Sequence, residues 1–316
     1  MASASVKASL STFCCIVTPF DEKGRLDEEA AAAHFRRVAD AGVALYVGGS
    51  SPGEGYSFSE AEMTRLLKIA VASAGGRVPV RAMGVEPRHA EQMKAFLRLA
   101  ADTGVDACQI YSLDVGHGWK PGPRELEAYF RASLDACPLP AIVSSHAFMG
   151  YNIPIETLER LANDYDNLIG VNLTTPDLFH LTEAIARLRP RLEIHVGGPM
   201  NTLTALALGA NGFLSSEAVL VPRLCRSIIS HWEAGELEQA FTAYGSVMAL
   251  MVALASVPGA SVRRLKGAMR LLGYGGSYLR GPYAPIEDSE LAAIGRALDK
   301  IAALPGCGEL AREKAQ

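Results

Sequence analysis

The sequence predicts an α/β fold, a (β/α)8 TIM barrel with a C-terminal three-helix extension. Three observations predict it. Strand-like apolar runs alternate with helix-period segments through eight repeats over roughly 220 residues, near the ~250 such barrels take. The sixth run ends in a polar side chain, at the end of the strand where a barrel carries its chemistry. No Gly-x-Gly-x-x-Gly follows the first strand, which argues against the open doubly wound alternative.

The elements follow in order. Residues 12–19 read as the first strand, and Asp27 caps a helix to residue 39 that Gly42 closes. Residues 44–47 form the second strand, leaving through the glycine-rich turn 48–55. Ser59 and Glu62 make a capping box for the next helix, to about residue 73. Strands at 78–83, 107–112, 140–145, 168–173, 192–196 and 212–215 alternate with helices at 87–102, 123–135, 154–162, 176–188, 201–208 and 222–234. At the sixth strand, Thr174, Thr175 and Pro176 suit a helix start. Beyond it, 237–255, 260–272 and 289–304 keep helical apolar spacing. The expected division is a barrel over 1–235 and a helical extension packed on it over 236–316.

Composition narrows the function. The 316 residues are 49% apolar, an ordinary globular share, with net charge −4. With no basic run, a nucleic-acid partner is not expected. No apolar stretch reads as a membrane span, and residues 1–10 lack a signal peptide's apolar core, so no membrane partner is expected. Cys14, Cys15, Cys108, Cys137, Cys225 and Cys307 show no zinc-type spacing. Cys14, Cys15 and Cys108 read as buried reduced thiols, which points to the cytoplasm.

Four features together resemble one family. Thr18-Pro19-Phe20 ends the first strand, and Gly49-Ser50-Ser51-Pro52-Gly53-Glu54 follows the second. Leu206-Ala207-Leu208-Gly209-Ala210-Asn211-Gly212 leads into the eighth, and Lys266 precedes Leu271-Leu272-Gly273 and Arg280-Gly281-Pro282. From about residue 13 to 304 the chain resembles the dihydrodipicolinate synthase and N-acetylneuraminate lyase superfamily, the class I pyruvate aldolases. The resemblance implies a 2-oxo acid ligand whose carboxylate lies on the glycine-rich turn. It also implies a homotetramer or homodimer. No cofactor and no metal are expected.

The family's catalytic groups do not carry over by residue. Its Schiff-base lysine stands in a Gly-Ile/Val-Lys segment; here the segment is Gly170-Val171-Asn172. Its proton-relay tyrosine belongs to a Tyr-Asn-x-Pro segment ending the fifth strand; Ser144 takes the matching place. The family's arginine shortly after that tyrosine also has no counterpart, since only Ala147, Phe148 and Met149 lie between His146 and Gly150. An amide nitrogen is no nucleophile toward a ketone, and a serine hydroxyl is less acidic than a phenol.

The residues assigned to catalysis are therefore His146, Asn172 and Ser144, with His146 moving protons. Gly49, Ser50, Ser51 and His117 are assigned to substrate. His117, His146 and His195 could converge on a metal, though hydrogen-bonded barrel histidines are the simpler expectation. Trp119 and Lys120 sit on the loop after the fourth strand and could cover the pocket. Lys266 lies away from the imine position, and Glu54 and Glu217 read as loop and helix-start residues. Two functions remain open. One is a lyase or hydratase acting on a small 2-oxo acid or sugar-acid derivative without an imine. The other is a non-catalytic carboxylate-binding or assembly protein.

Overall fold

The computed structural model describes residues 10–311. The stretch 1–9, which holds most of the segment read as lacking a signal-peptide core, lies outside them. So does 312–316. Eight parallel strands pair in chain order as a closed barrel. They are β1 (Ser11–Cys15), β2 (Ala44–Val47), β3 (Val80–Ala82), β4 (Ala107–Ile110), β5 (Ala141–His146), β6 (Leu168–Thr174), β7 (Glu193–Gly197) and β8 (Gly212–Ser215). The helices between and after them are α1 (Glu28–Asp40), α2 (Glu60–Ala74), α3 (Ala90–Ala101), α4 (Pro123–Asp135), α5 (Ile155–Asp164), α6 (Leu178–Leu188), α7 (Thr202–Leu208) and α8 (Pro222–Ala234). The extension is α9 (Leu237–Ala255), α10 (Ser261–Leu271) and α11 (Asp288–Ile301), followed by a short 3-10 turn at Cys307–Leu310.

Local chemistry explains most boundaries. Asp27 accepts from the Ala30 N–H at the start of α1, and Ser59 with Glu62 forms the expected capping box of α2. The start of α6 differs from the sequence reading. Thr174 still belongs to β6, and the cap is Asp177, whose carboxylate accepts from the N–H groups of Phe179 and His180. A carboxylate that satisfies two orphan donors fixes the first turn at the residues after it.

The chain divides into two compact units. The first is Arg81–Leu214 together with Met1–Ser11, and it carries β4 to β7. Register pairs Gln109 with Ile142 and Ile142 with Gly170; two residues on, it pairs Ser144 with Asn172 and Asn172 with His195. Side chains alternate across a strand, so these positions share the inner face. Arg81 and Glu193 form an ion pair at 2.5 Å between β3 and β7, at the beginning of β7. Gly170 makes room for it: a Cβ there would lie 2.5 Å from Glu193 Cγ. The interior is packed rather than hollow, as small barrels are.

The second unit is Thr12–Val80 with Ser215–Gln316. Here α9 packs against α8, α10 and α11. Its buried face is Ala240, Ala243, Ser246, Val247, Leu250 and Leu254, while Leu237, Phe241 and Val252 face out. This helix corrects the sequence reading. With 19 residues and a mean hydropathy of 1.3, it is long and apolar enough to cross a membrane by length and composition. The periodic burial of one face by neighbouring helices is the pattern of a packed helix. All six cysteines are free; Cys15 is half-buried rather than buried, and the other five are buried.

Candidate functional site

In the first unit, polar side chains gather at the ends of β4, β5 and β6. Asn172 is the fifth residue of β6 and is 2% exposed. Its Nδ2 donates to Gln109 Oε1 at 2.5 Å. Gln109 lies on β4, with β5 between, so the two amides meet across the barrel interior. Ser144, next to Asn172 in register, is buried, and its carbonyl accepts from Ser112 Oγ at 2.6 Å. His146 follows on the same face, as the strand period requires, and pairs with Thr174.

The imidazole of His146 is half-buried between two rings, 6.5 Å from Tyr111 and 5.1 Å from Phe148. Its Nδ1 is buried with no hydrogen-bond partner among the described residues. Burial lowers its pKa below the ordinary imidazole value, and the nearby Glu86 carboxylate opposes that shift. The ring is therefore mainly neutral at neutral pH and able to accept a proton. Glu86, on the loop after β3, and Gln109 were not recognised in the sequence. Their significance comes from which strands the barrel brings together, and no local pattern marks it.

Three hydroxyl groups hold the exit of β4. Tyr129 donates to the Tyr111 carbonyl at 2.6 Å, Tyr151 to the Leu113 carbonyl at 2.8 Å, and Ser112 to Ser144 as above. Tyr151 begins the run Tyr151-Asn152-Ile153-Pro154, seven residues beyond Ser144, and burial pushes its phenol up to about 12. That run follows the short 3-10 turn after β5, and its place beside the exit of β4 was not expected from the sequence. Beyond this exit, His117, Trp119 and Lys120 are exposed on the loop, with His117 at a positive φ of 50°. His195 is buried, bonded to Ser11 at 2.8 Å, and held well below its ordinary pKa by burial and by Arg81. The described residues contain no group of three His, Cys, Asp or Glu placed to hold a metal ion.

In the second unit, the turn after β2 folds back on itself. Glu54 N–H donates to the Ser50 carbonyl and Gly55 N–H to the Gly49 carbonyl. Glycine is required by contact: a Cβ at Gly55 would stand 2.0 Å from the Gly48 carbonyl oxygen. Ser50 is half-buried, and Ser51 is exposed with its hydroxyl 3.3 Å from that of Ser261. Glu54 lies on the loop, as read, but it is enclosed there. It is 1% exposed, has a φ of 57°, and pairs with Lys266, itself 0% exposed, at 2.5 Å. Glu217 starts a short 3-10 turn as expected. It is buried, and its carboxylate accepts from Ser215 at 2.8 Å.

Known proteins match this chain along nearly all of its length. A 4-hydroxy-tetrahydrodipicolinate synthase of Acidiphilium cryptum is 30% identical over 309 residues, covering 94% of this chain and 97% of the relative. An uncharacterised DapA-like lyase of Halobacterium salinarum is 29% identical over 286 residues, 88% of this chain and 90% of its own. Among solved structures, dihydrodipicolinate synthase of Thermotoga maritima has a TM-score of 0.85 at 22% identity, with 94% and 99% covered. A prophage protein of E. coli K12, of the dihydrodipicolinic acid synthase family and solved with pyruvate, has a TM-score of 0.85 at 21% identity, with 92% and 98% covered. At such identities the structural likeness speaks for the fold. The family model itself matches residues 8–301, so the chain belongs to the dihydrodipicolinate synthetase family.

Proposed function

We propose that the protein is a lyase or hydratase acting on a small 2-oxo acid or sugar-acid derivative without forming an imine. The observation that carries this reading is the neutral amide at the end of β6. Asn172 is buried and bonded to Gln109, a pairing suited to orienting a hydrogen-bonding group and useless as an amine. In this reading Asn172 and Ser144 polarise the substrate carbonyl, and His146 accepts and returns the proton. The substrate carboxylate is assigned to Gly49, Ser50 and Ser51, and His117 to its outer end. A homotetramer or homodimer and a cytoplasmic setting belong to the same reading; six free cysteines support the setting.

One observation favours the second reading, a non-catalytic carboxylate-binding protein. The Asn172 Nδ2 group already serves Gln109, as a structural amide would.

Thermal unfolding with a panel of 2-oxo and 2-hydroxy acids tests ligand binding. A ligand at a hundredfold excess over Kd stabilises the folded state by about 2.7 kcal/mol. At least one acid should raise the midpoint, and Ser50→Ala with Ser51→Ala should reduce the rise. A panel without effect on the wild type removes the 2-oxo acid reading. Turnover of a binding acid, abolished by His146→Ala with binding retained, separates the enzyme from the non-catalytic protein.

A further inference from the structure

Lys266 is the most completely enclosed charge among the described residues, and the mechanism above does not use it. It sits on α10 with a side-chain exposure of 0%, against 1% for Glu54. Its Nζ meets Glu54 Oε1 at 2.5 Å, donates to the Tyr278 carbonyl at 2.6 Å, and lies 4.2 Å from the centre of the Phe20 ring. Arg280 covers the same ring at 4.2 Å, and its backbone N–H donates to Glu54 Oε2 at 3.2 Å. Both Glu54 oxygens are thus engaged from the C-terminal helical region.

A buried pair of this kind gives little net stability, because desolvating both ions offsets their attraction. What it supplies is a fixed geometry. Glu54 has left-handed backbone, which is unfavourable for a non-glycine residue, so surrounding contacts must hold it there. The contacts are arranged along the whole turn. Ser261, on the first turn of α10, meets Ser51, and Lys266 meets Glu54. The Arg280 guanidinium donates to the Ser57 carbonyl at 3.0 Å and to Glu62 at 2.7 Å. The glycines let the turn fold this tightly, and the ion pair selects one of the shapes they permit.

We propose that Lys266 and Glu54 are a positioning pair that fixes the ligand-binding shape of the 48–55 turn. The proposal deepens the carboxylate assignment above and rests on it for the identity of the ligand. The pair itself touches no substrate; it acts through the backbone of Ser50 and Ser51. An unpaired Glu54 would leave its enclosure for water and carry the turn with it.

Peptide-resolved hydrogen exchange on the full chain tests the proposal, with pyruvate as the binding probe. In Lys266→Met, amides of residues 48–58 should exchange about tenfold faster or more, while those of β4 to β7 keep their wild-type rates. Glu54→Gln, which preserves size, should show the same local change if Lys266→Met fails to fold. The double variant Glu54→Gln with Lys266→Met should recover part of the protection, since no ion is then left unpaired. Pyruvate affinity should fall in step with turn protection across the three variants. Uniform loosening of the whole chain, or an unchanged turn in the single variants, overturns the pair's positioning role. A loosened turn with pyruvate affinity unchanged overturns the link from turn to ligand. If wild type binds no acid but the turn loosens as expected, the carboxylate reading fails and the fixing of the turn stands.

Discussion

The glycine-rich turn of the second unit and the strand ends of the first hold their polar groups by opposite means. The turn is fixed by charge: a buried carboxylate, a buried ammonium and an arginine, all satisfied within the unit. At the ends of β4 to β6 the groups are uncharged. An amide meets an amide, hydroxyls serve carbonyls, and the His146 imidazole is pushed toward neutrality by burial. Charged contacts resist being remade, because a broken partner is left as an ion in a dry place. Neutral contacts can be exchanged in pairs at small cost. The turn should therefore tolerate little change, and the strand ends should accept coordinated change.

The largest effect should come from adding one methyl group to the turn. Gly55→Ala places its Cβ 2.0 Å from the Gly48 carbonyl oxygen, and that oxygen is backbone, so no flexible side chain can move aside. We expect a loss of about 3 kcal/mol or more, read as a lower urea midpoint at unchanged slope. A loss below about 1 kcal/mol would show a softer turn and remove half of the contrast.

A smaller effect is expected where the contacts are neutral. Asn172→Leu or Gln109→Leu alone removes the hydrogen bond between the two buried amides, worth about 1–3 kcal/mol. The two together should cost clearly less than the sum, with a coupling of about 1 kcal/mol or more. Urea unfolding of the four proteins gives the cycle. Strict additivity would mean that the two amides do not act as a unit.

The same contrast explains what could be read in the sequence. The barrel was legible because strand alternation and caps such as Asp27 and the Ser59–Glu62 box are local. The turn was legible because four of its eight residues, Gly48, Gly49, Gly53 and Gly55, are glycine. The partners were not. Gln109 reaches Asn172 from two strands away, and Lys266 reaches Glu54 from 212 positions along the chain. Glu54 looked like a loop residue because nothing near it in sequence shows that it is enclosed. Tyr151 was missed for another reason. It follows a short 3-10 turn after β5, and only the fold brings its phenol to the Leu113 carbonyl. The helix start at Asp177 went to Thr174 and Thr175 because threonine also caps, and only strand pairing shows that Thr174 is still in β6.

The smallest expected effect is none at all. Incubation with pyruvate and borohydride should leave the intact mass of the protein unchanged. Imine formation needs a neutral amine with free access to the ketone. The nitrogen at the end of β6 is the Asn172 amide, whose lone pair is delocalised into its carbonyl and whose N–H serves Gln109. Lys266 has an amine pushed down to about 8 by burial, which would favour reactivity, but the side chain has no exposed surface and its nitrogen is held by Glu54 and the Tyr278 carbonyl. Lys120 is exposed on its loop, with its side chain close to Gly150 just after β5. A reduced adduct on any lysine therefore contradicts the imine-free reading, and peptide mapping would say how. An adduct on Lys120 would move the nucleophile from the sixth strand to the loop after the fourth. An adduct on Lys266 would mean that the enclosure around Glu54 opens, and the contrast between a fixed turn and exchangeable strand ends would fail with it.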